Sequence, residues 1–191
     1  HAVVKLNGKL NKNALQQALK RIVERHEVLH TVIKDSAGIP WQEVVSERNW
    51  HLEISDGKHL NSNLEGYQNF VRDLINKPFN LAEDFMLRAT LIQLGTHEYS
   101  LVIVMHHIAS DGWSTGIILR ELVDLYRNFE QEHIDDLPIL PIQYADFSIW
   151  QRKYLTGEIL DKKLSYWKAK LANPQVLEMI TDFPRPAVQS T

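Results

Sequence analysis

Hydrophobic positions along this chain switch between two periods. Residues 2–6 alternate as a half-buried strand does, and Asn7-Gly8 follows as a turn signal. Leu15, Ala18, Leu19 and Ile22 then recur at helical spacing, with Lys20, Arg21, Glu24 and Arg25 on much of the opposite side. Asn11 or Asn13 caps this helix, because an Asn side-chain oxygen accepts one of the orphan amides of a first turn. Residues 28–33 are rich in β-branched side chains and predict a strand, residues 35–40 a turn, and residues 41–45 the returning arm. Residues 51–54 read as a further short strand, and residues 64–75 as a second amphipathic helix that stops before Pro78.

The clearest hairpin joins residues 86–94 to residues 99–105 around Gly95-Thr96. Its second arm, Leu101-Val102-Ile103-Val104-Met105, is apolar at every position, as expected of a central strand covered on both faces. A long helix is predicted over residues 114–130. Ile118, Leu122 and Leu125 form its buried stripe, flanked by Leu119 and Tyr126. A Pro-bearing connector follows over residues 135–141, then helices over residues 144–155 and 161–171 split by Gly157. Residues 173–191 carry Pro174, Pro184 and Pro186 and read as a linker, which leaves residues 1–172 as one folded lobe. Strands and helices mix as an α/β or α+β sandwich, with helices packed on a sheet.

Composition narrows the field. Hydrophobic residues make up 44% and charged residues 24% of 191 positions, which is ordinary for a globular domain. The formal net charge of -3 supplies no field that would draw nucleic acid. The absence of cysteine removes disulfides and thiol nucleophiles and suits a reducing cytoplasm. No segment is apolar for long enough to cross a bilayer, so no membrane partner is expected. The sequence opens inside a strand pattern without an initiator Met, and the expectation is a piece of a longer chain.

Candidate chemistry lies in Met105-His106-His107-Ile108-Ala109-Ser110-Asp111-Gly112-Trp113-Ser114. A buried strand delivers two histidines to its C-terminal end, where α/β folds place reactive groups. Adjacent strand residues point to opposite faces, so one imidazole faces a given cleft and the other faces packing. Asp111 folds back as a hydrogen-bond partner or pairs with a cation. Gly112 permits backbone shapes that other residues resist, and no side chain shields its N–H. His, His and Asp are also metal ligands, but diverging strand neighbours and the lack of a His-Glu-x-x-His helix argue against a metal, and none is assigned. Trp113, Tyr144, Phe147 and Trp150 are assigned to packing first, as aromatics at such spacings usually are.

The stretch from His106 to Ser114 resembles the signature of condensation domains of nonribosomal peptide synthetases, including its Trp-Ser ending. Arg25-His26-Glu27-Val28-Leu29-His30-Thr31, Lys77-Pro78-Phe79-Asn80-Leu81 with Leu87-Arg88, and Tyr144-Ala145-Asp146-Phe147-Ser148-Ile149-Trp150-Gln151 resemble further motifs of that family, in the family's order. The family's opening motif is absent, His30 stands where many members carry Arg, and the second lobe is missing.

The resemblance implies a chloramphenicol acetyltransferase-like lobe, a mixed β-sheet with helices packed on it, that would meet a C-terminal lobe of the same domain across a channel. It implies amide formation between a carrier-bound acyl or peptidyl thioester donor and a carrier-bound aminoacyl acceptor. No cofactor would be held by the chain itself. The substrates would ride on phosphopantetheine arms of upstream and downstream peptidyl carrier domains, with an adenylation domain as a neighbour. By family position the catalytic set is His107 with His106, Asp111 and Gly112, where His107 takes a proton from the attacking amine or orients it. The Gly112 N–H is a donor to the developing oxyanion, His106 packs, and Asp111 braces the loop through a salt bridge to Arg88. Trp113 and Ser114 are the substrate-binding candidates. An epimerization domain, an acyl-CoA acyltransferase and a non-catalytic interaction module of the same fold are the alternatives. The Trp113-Ser114 order favours condensation over epimerization, and two histidines instead of aspartates disfavour heterocyclisation.

Overall fold

Strand alternation builds two apolar clusters on one sheet. In β6 (Glu98–Met105), Tyr99, Leu101 and Ile103 face one side, and Val102 and Val104 face the other. β6 is flanked by β1 (Ala2–Asn7) and β5 (Leu87–Gln93), both antiparallel to it. The short β4 (Glu53–Asp56) adds in parallel to β5, so the four-stranded sheet is mixed, in the order β1-β6-β5-β4. The computed structural model describes residues 1–45, 50–132, 137–175 and 182–184. They fall into two compact units, His1–Phe147 and Ser148–Thr191.

On the first face of the sheet lie α1 (Lys12–Arg25) and α3 (Gly112–Glu130), which pack on each other. Leu15, Ala18, Leu19 and Ile22 of α1 meet Ile118, Leu122 and Leu125 of α3 over Leu87, Leu91, Leu101 and Ile103. Leu19, Ile22, Leu101 and Leu125 are fully enclosed, and truncating any one to alanine costs about 2–5 kcal/mol. Asn11 is the cap of α1, its side chain accepting from Ala14 N–H at 3.0 Å. On the second face, α2 (Leu64–Asn76) sets Val71 against Ile92, Val102 and Val104.

The structure differs from the sequence reading at several places. Glu27–His30 is a single 3-10 turn rather than strand, held by Thr31 Oγ1–H donating to Glu27 O at 2.7 Å and by Leu29 N–H donating to His26 O at 2.8 Å. The strand proper is β2 (Thr31–Ser36), paired with β3 (Ile39–Val44) in a separate hairpin. Its two-residue turn places Ala37 at φ 53° and Gly38 at φ 80°, the left-handed pair that such hairpins demand. Leu119, assigned to the buried flank of α3, is 37% exposed.

The second unit holds most of α4 (Tyr144–Tyr154) and all of α5 (Gly157–Lys170), which begins four residues earlier than the pattern indicated. Most of the linker assigned to residues 173–191, Pro186 included, and residues 135–136 of the connector lie outside the described residues. No helix among the described residues is long and apolar enough to cross a membrane.

Candidate active site

The signature loop is built by what ends β6 and what starts α3. Past Met105, His106 N–H still donates across to Met86 O at 3.0 Å, and then the chain turns. Ala109 N–H at 3.0 Å and Ser110 Oγ–H at 3.2 Å both return to His106 O, closing residues 106–110 into a tight loop. Asp111 stops the loop by capping α3. Its Oδ1 accepts from Ser114 N–H at 2.9 Å and from Ser114 Oγ–H at 2.8 Å, while Ser114 Oγ accepts from Asp111 N–H at 3.2 Å. This reciprocal box satisfies amides that a helix start leaves orphaned. The Ser114 amide, then its hydroxyl, hold the Asp111 carboxyl below the usual aspartate range.

The two histidines part as strand alternation requires. His106 turns to the α2 side, edge-on to Phe79 with ring centroids 5.4 Å apart, and its Nδ1 accepts from Ile108 N–H at 3.1 Å. His107 turns the other way and is exposed. Its Nδ1 lies 2.9 Å from Ser110 O. A carbonyl only accepts, so Nδ1 carries a proton, and in the neutral ring Nε2 keeps the lone pair. His107 opens onto a cleft of about 300 Å³. Residues 107–111 and Ser114 form one wall, and His26, Val28 and Tyr144 line the rest.

A second polar cluster ties α1 to α3 beside that cleft. Glu121 Oε1 accepts from Arg25 Nε–H at 3.1 Å, and Glu121 Oε2 lies 2.7 Å from His26 Nε2. The side chains of Arg25, Glu121 and His26 are 7%, 12% and 20% exposed. Burial alone would raise the Glu121 carboxyl. The hydrogen bonds and charges of His26 and Arg25 outweigh it and hold that group below the usual glutamate range. Gln143 pins the adjoining turn, donating to Arg25 O at 3.0 Å and accepting from Glu27 N–H at 3.2 Å.

Several assignments from sequence need correction. Arg88 and Asp111 do not pair. Arg88 lies opposite Val104, on the α2 side of the sheet, where it stacks over Phe79 at 3.7 Å and donates to the carbonyls of Lys77 and Pro78. Burial lowers Arg88 below the usual arginine range, opposed by Asp84 and Glu53. Gly112 is the first residue of α3 without a left-handed φ, and a Cβ there would meet open space. The backbone-shape argument for it therefore falls, and the unshielded N–H is what remains. Ser114 reaches the cleft, but its hydroxyl is engaged in the helix cap. Trp113 is 85% exposed and does not line the cleft. Tyr144, Phe147 and Trp150, assigned to packing, are 61%, 38% and 54% exposed, so none belongs to a buried core. Among the described residues, no three His, Asp or Glu side chains gather to hold a metal ion.

The family model for the condensation domain matches residues 1–191. The chain belongs to the condensation domain family. It is 40% identical over 190 residues to one of the linear gramicidin synthase proteins of Brevibacillus parabrevis, covering 98% of this chain and 4% of that much longer protein. It is 36% identical over 190 residues to chondramide synthase of Chondromyces crocatus, covering 98% of this chain and 5% of the synthase. The chain thus spans only a small part of the length of these relatives. Among solved structures, the X-domain in a complex from teicoplanin biosynthesis superposes with a TM-score of 0.81 at 25% identity, over 97% of this chain and 41% of that one. The epimerization domain from the third module of tyrocidine synthetase superposes with a TM-score of 0.79 at 21% identity, over 96% of this chain and 42% of that one. An epimerization domain thus shares the condensation domain fold, and the fold by itself does not select the reaction.

Sequence reasoning does not single out His26 or Glu121. His26 lies inside one of the family motifs, but its partner is 95 positions away, and no local pattern marks such a pair.

Proposed function

We propose that this chain is the catalytic-histidine lobe of an amide-forming condensation domain. It joins a carrier-bound acyl or peptidyl thioester to a carrier-bound aminoacyl group, both carried on phosphopantetheine arms. One observation supports this above the rest: His107 holds its Nδ1 proton on Ser110 O, and its ring lines an open cleft. A ring fixed in that tautomer is ready to accept a proton or to orient an amine. The acceptor nitrogen attacks the donor carbonyl carbon, the C–N bond forms and the C–S bond breaks. The nitrogen's proton passes to His107 Nε2 and on to the departing thiolate. The Gly112 N–H, at the first turn of α3, is the proposed donor to the oxyanion, because the positive end of a helix favours developing negative charge. His106 and Asp111 serve by holding the loop.

The remaining wall of the channel is assigned to a second lobe of the same domain, and the working partners to two peptidyl carrier domains and a neighbouring adenylation domain. A cytoplasmic setting fits a chain without cysteine. The order Trp113-Ser114 supports condensation over epimerization.

The test is turnover in the full-length protein with loaded carriers. His107→Ala is expected to lower amide formation at least about a hundredfold, the size of a lost general base. Activity within a few-fold of wild type would remove the catalytic reading. The 191-residue chain alone is expected to give no dipeptide.

A further inference from the structure

The cleft has a second imidazole. His26 lines it together with His107, and the two rings come from distant parts of the sequence, one after α1 and one after β6. Glu121 is held as a carboxylate between Arg25 and His26, so it only accepts, and His26 must present Nε2–H to it at 2.7 Å. In the neutral ring that hydrogen bond leaves Nδ1 with the lone pair. No described residue bonds His26 Nδ1, and it is not among the buried side-chain atoms that lack a partner. An imidazole oriented by a carboxylate and lining a cleft has the layout of a recognition or base group. Packing needs would be met by any residue that keeps the bond to Glu121. They do not explain why that residue is an imidazole at the wall of the cleft.

We propose that His26, oriented by Glu121, binds the acceptor in this cleft, its Nδ1 accepting a hydrogen bond from the acceptor's amino group. The inference rests on the amide-forming reading above and adds a residue to it. His107 then deals with the proton that the nitrogen sheds, and His26 holds the nitrogen through another N–H. No proton transfer is assigned to His26.

Two variants separate binding from bracing. His26→Gln keeps an N–H donor where Nε2 stood and so keeps Glu121 satisfied, but it removes the Nδ1 acceptor. His26→Asn keeps an oxygen near the Nδ1 position and loses the bond to Glu121. The full-length protein would be assayed with a loaded donor carrier and a panel of aminoacyl-pantetheine thioesters as acceptors. Binding of the matching aminoacyl-pantetheine amides would be followed by calorimetry. For His26→Gln, the expected result is a wild-type melting temperature, an unchanged kcat, and KM and Kd for the acceptor raised roughly tenfold or more, as for one lost hydrogen bond to a charged group. His26→Asn is expected to melt lower yet bind the acceptor better than His26→Gln. Wild-type KM and Kd in His26→Gln would overturn the inference while leaving the amide-forming reading intact. A wild-type protein that neither binds nor uses any member of the panel would overturn that reading, and this inference with it.

Discussion

Two carboxylates of α3, its cap Asp111 and the mid-helix Glu121, are held in different ways. Asp111 sits at its exposed start and bonds neutral donors, chiefly the amide and hydroxyl of Ser114. Glu121 sits within the helix, largely enclosed, between two basic side chains from the end of α1. Both are held below the usual carboxyl range, the first by hydrogen bonds at a helix start, the second by hydrogen bonds and charge against the opposing effect of burial. The difference shows where this fold keeps its charged brace. The signature aspartate shapes one turn of backbone, whereas the long-range ionic tie that fixes the cleft wall is Arg25–Glu121–His26.

The largest effect is expected at Glu121. Glu121→Ala leaves the Arg25 guanidinium enclosed without its carboxylate, and a broken buried pair of this kind costs about 3 kcal/mol. A large fall in the melting temperature is expected. A fall no greater than that of an exposed α3 substitution such as Arg120→Ala would refute the brace. The isosteric Glu121→Gln sharpens the test through pH. Because folding lowers the Glu121 carboxyl, its stabilisation is present above the ordinary glutamate value of about 4.3 and is lost as pH falls through the lower folded value. Wild type should therefore melt above Glu121→Gln at neutral pH, and the gap should close progressively as pH falls below the ordinary glutamate value. A gap that stays constant with pH would assign the tie to shape instead of charge.

Much of this architecture is legible in the sequence, for reasons that can be named. The apolar run Leu101–Met105 had to lie between two covered faces, and it does. The parity of adjacent strand residues had to separate His106 from His107, and their partners differ accordingly. The same parity bears on Arg88. Its place opposite Val104 puts it on the α2 side, away from the His107 cleft, so nearness along the hairpin does not make its side chain a neighbour of Asp111. The turn at Glu27–His30 escapes a local reading because Val28 and its neighbours favour strand, while Thr31 Oγ1 and the bond from Leu29 to His26 O draw the backbone into 3-10 geometry. The Glu121 tie has no local signal at all, since a glutamate on a helix reads as solvated until its partner helix is placed. The aromatics mislead for a related reason. Spacing tells which residues share a helix face, but not whether that face is covered.

A smaller effect is expected at Asp111. Asp111→Ala removes the cap of α3, with the two bonds that Oδ1 accepts from Ser114, so the melting temperature should fall by a few degrees and amide formation should fall with it. Asp111→Asn keeps a capping oxygen and should recover most of both losses. Failure of Asn to rescue stability would mean that the negative charge, and not the cap, is what the loop requires.

The smallest expected effect is the most discriminating between the two carboxylates. If Asp111 braced the loop through Arg88, the two substitutions would couple, and the double variant would be less impaired than the sum of the singles. In the structure Arg88 has other company: the Phe79 ring, two carbonyls, and the charges of Asp84 and Glu53. Arg88→Ala should therefore lower stability on its own account by loosening the segment from Lys77 to Phe79 against β5. Added to Asp111→Ala, it should lower the melting temperature by the sum of the two single falls. The matching cycle between Arg25→Ala and Glu121→Ala should depart clearly from additivity, because those side chains share a bond and each removal strands the other. Strong coupling in the first cycle with none in the second would reverse the roles assigned to the two carboxylates, and would place the brace at the helix start after all.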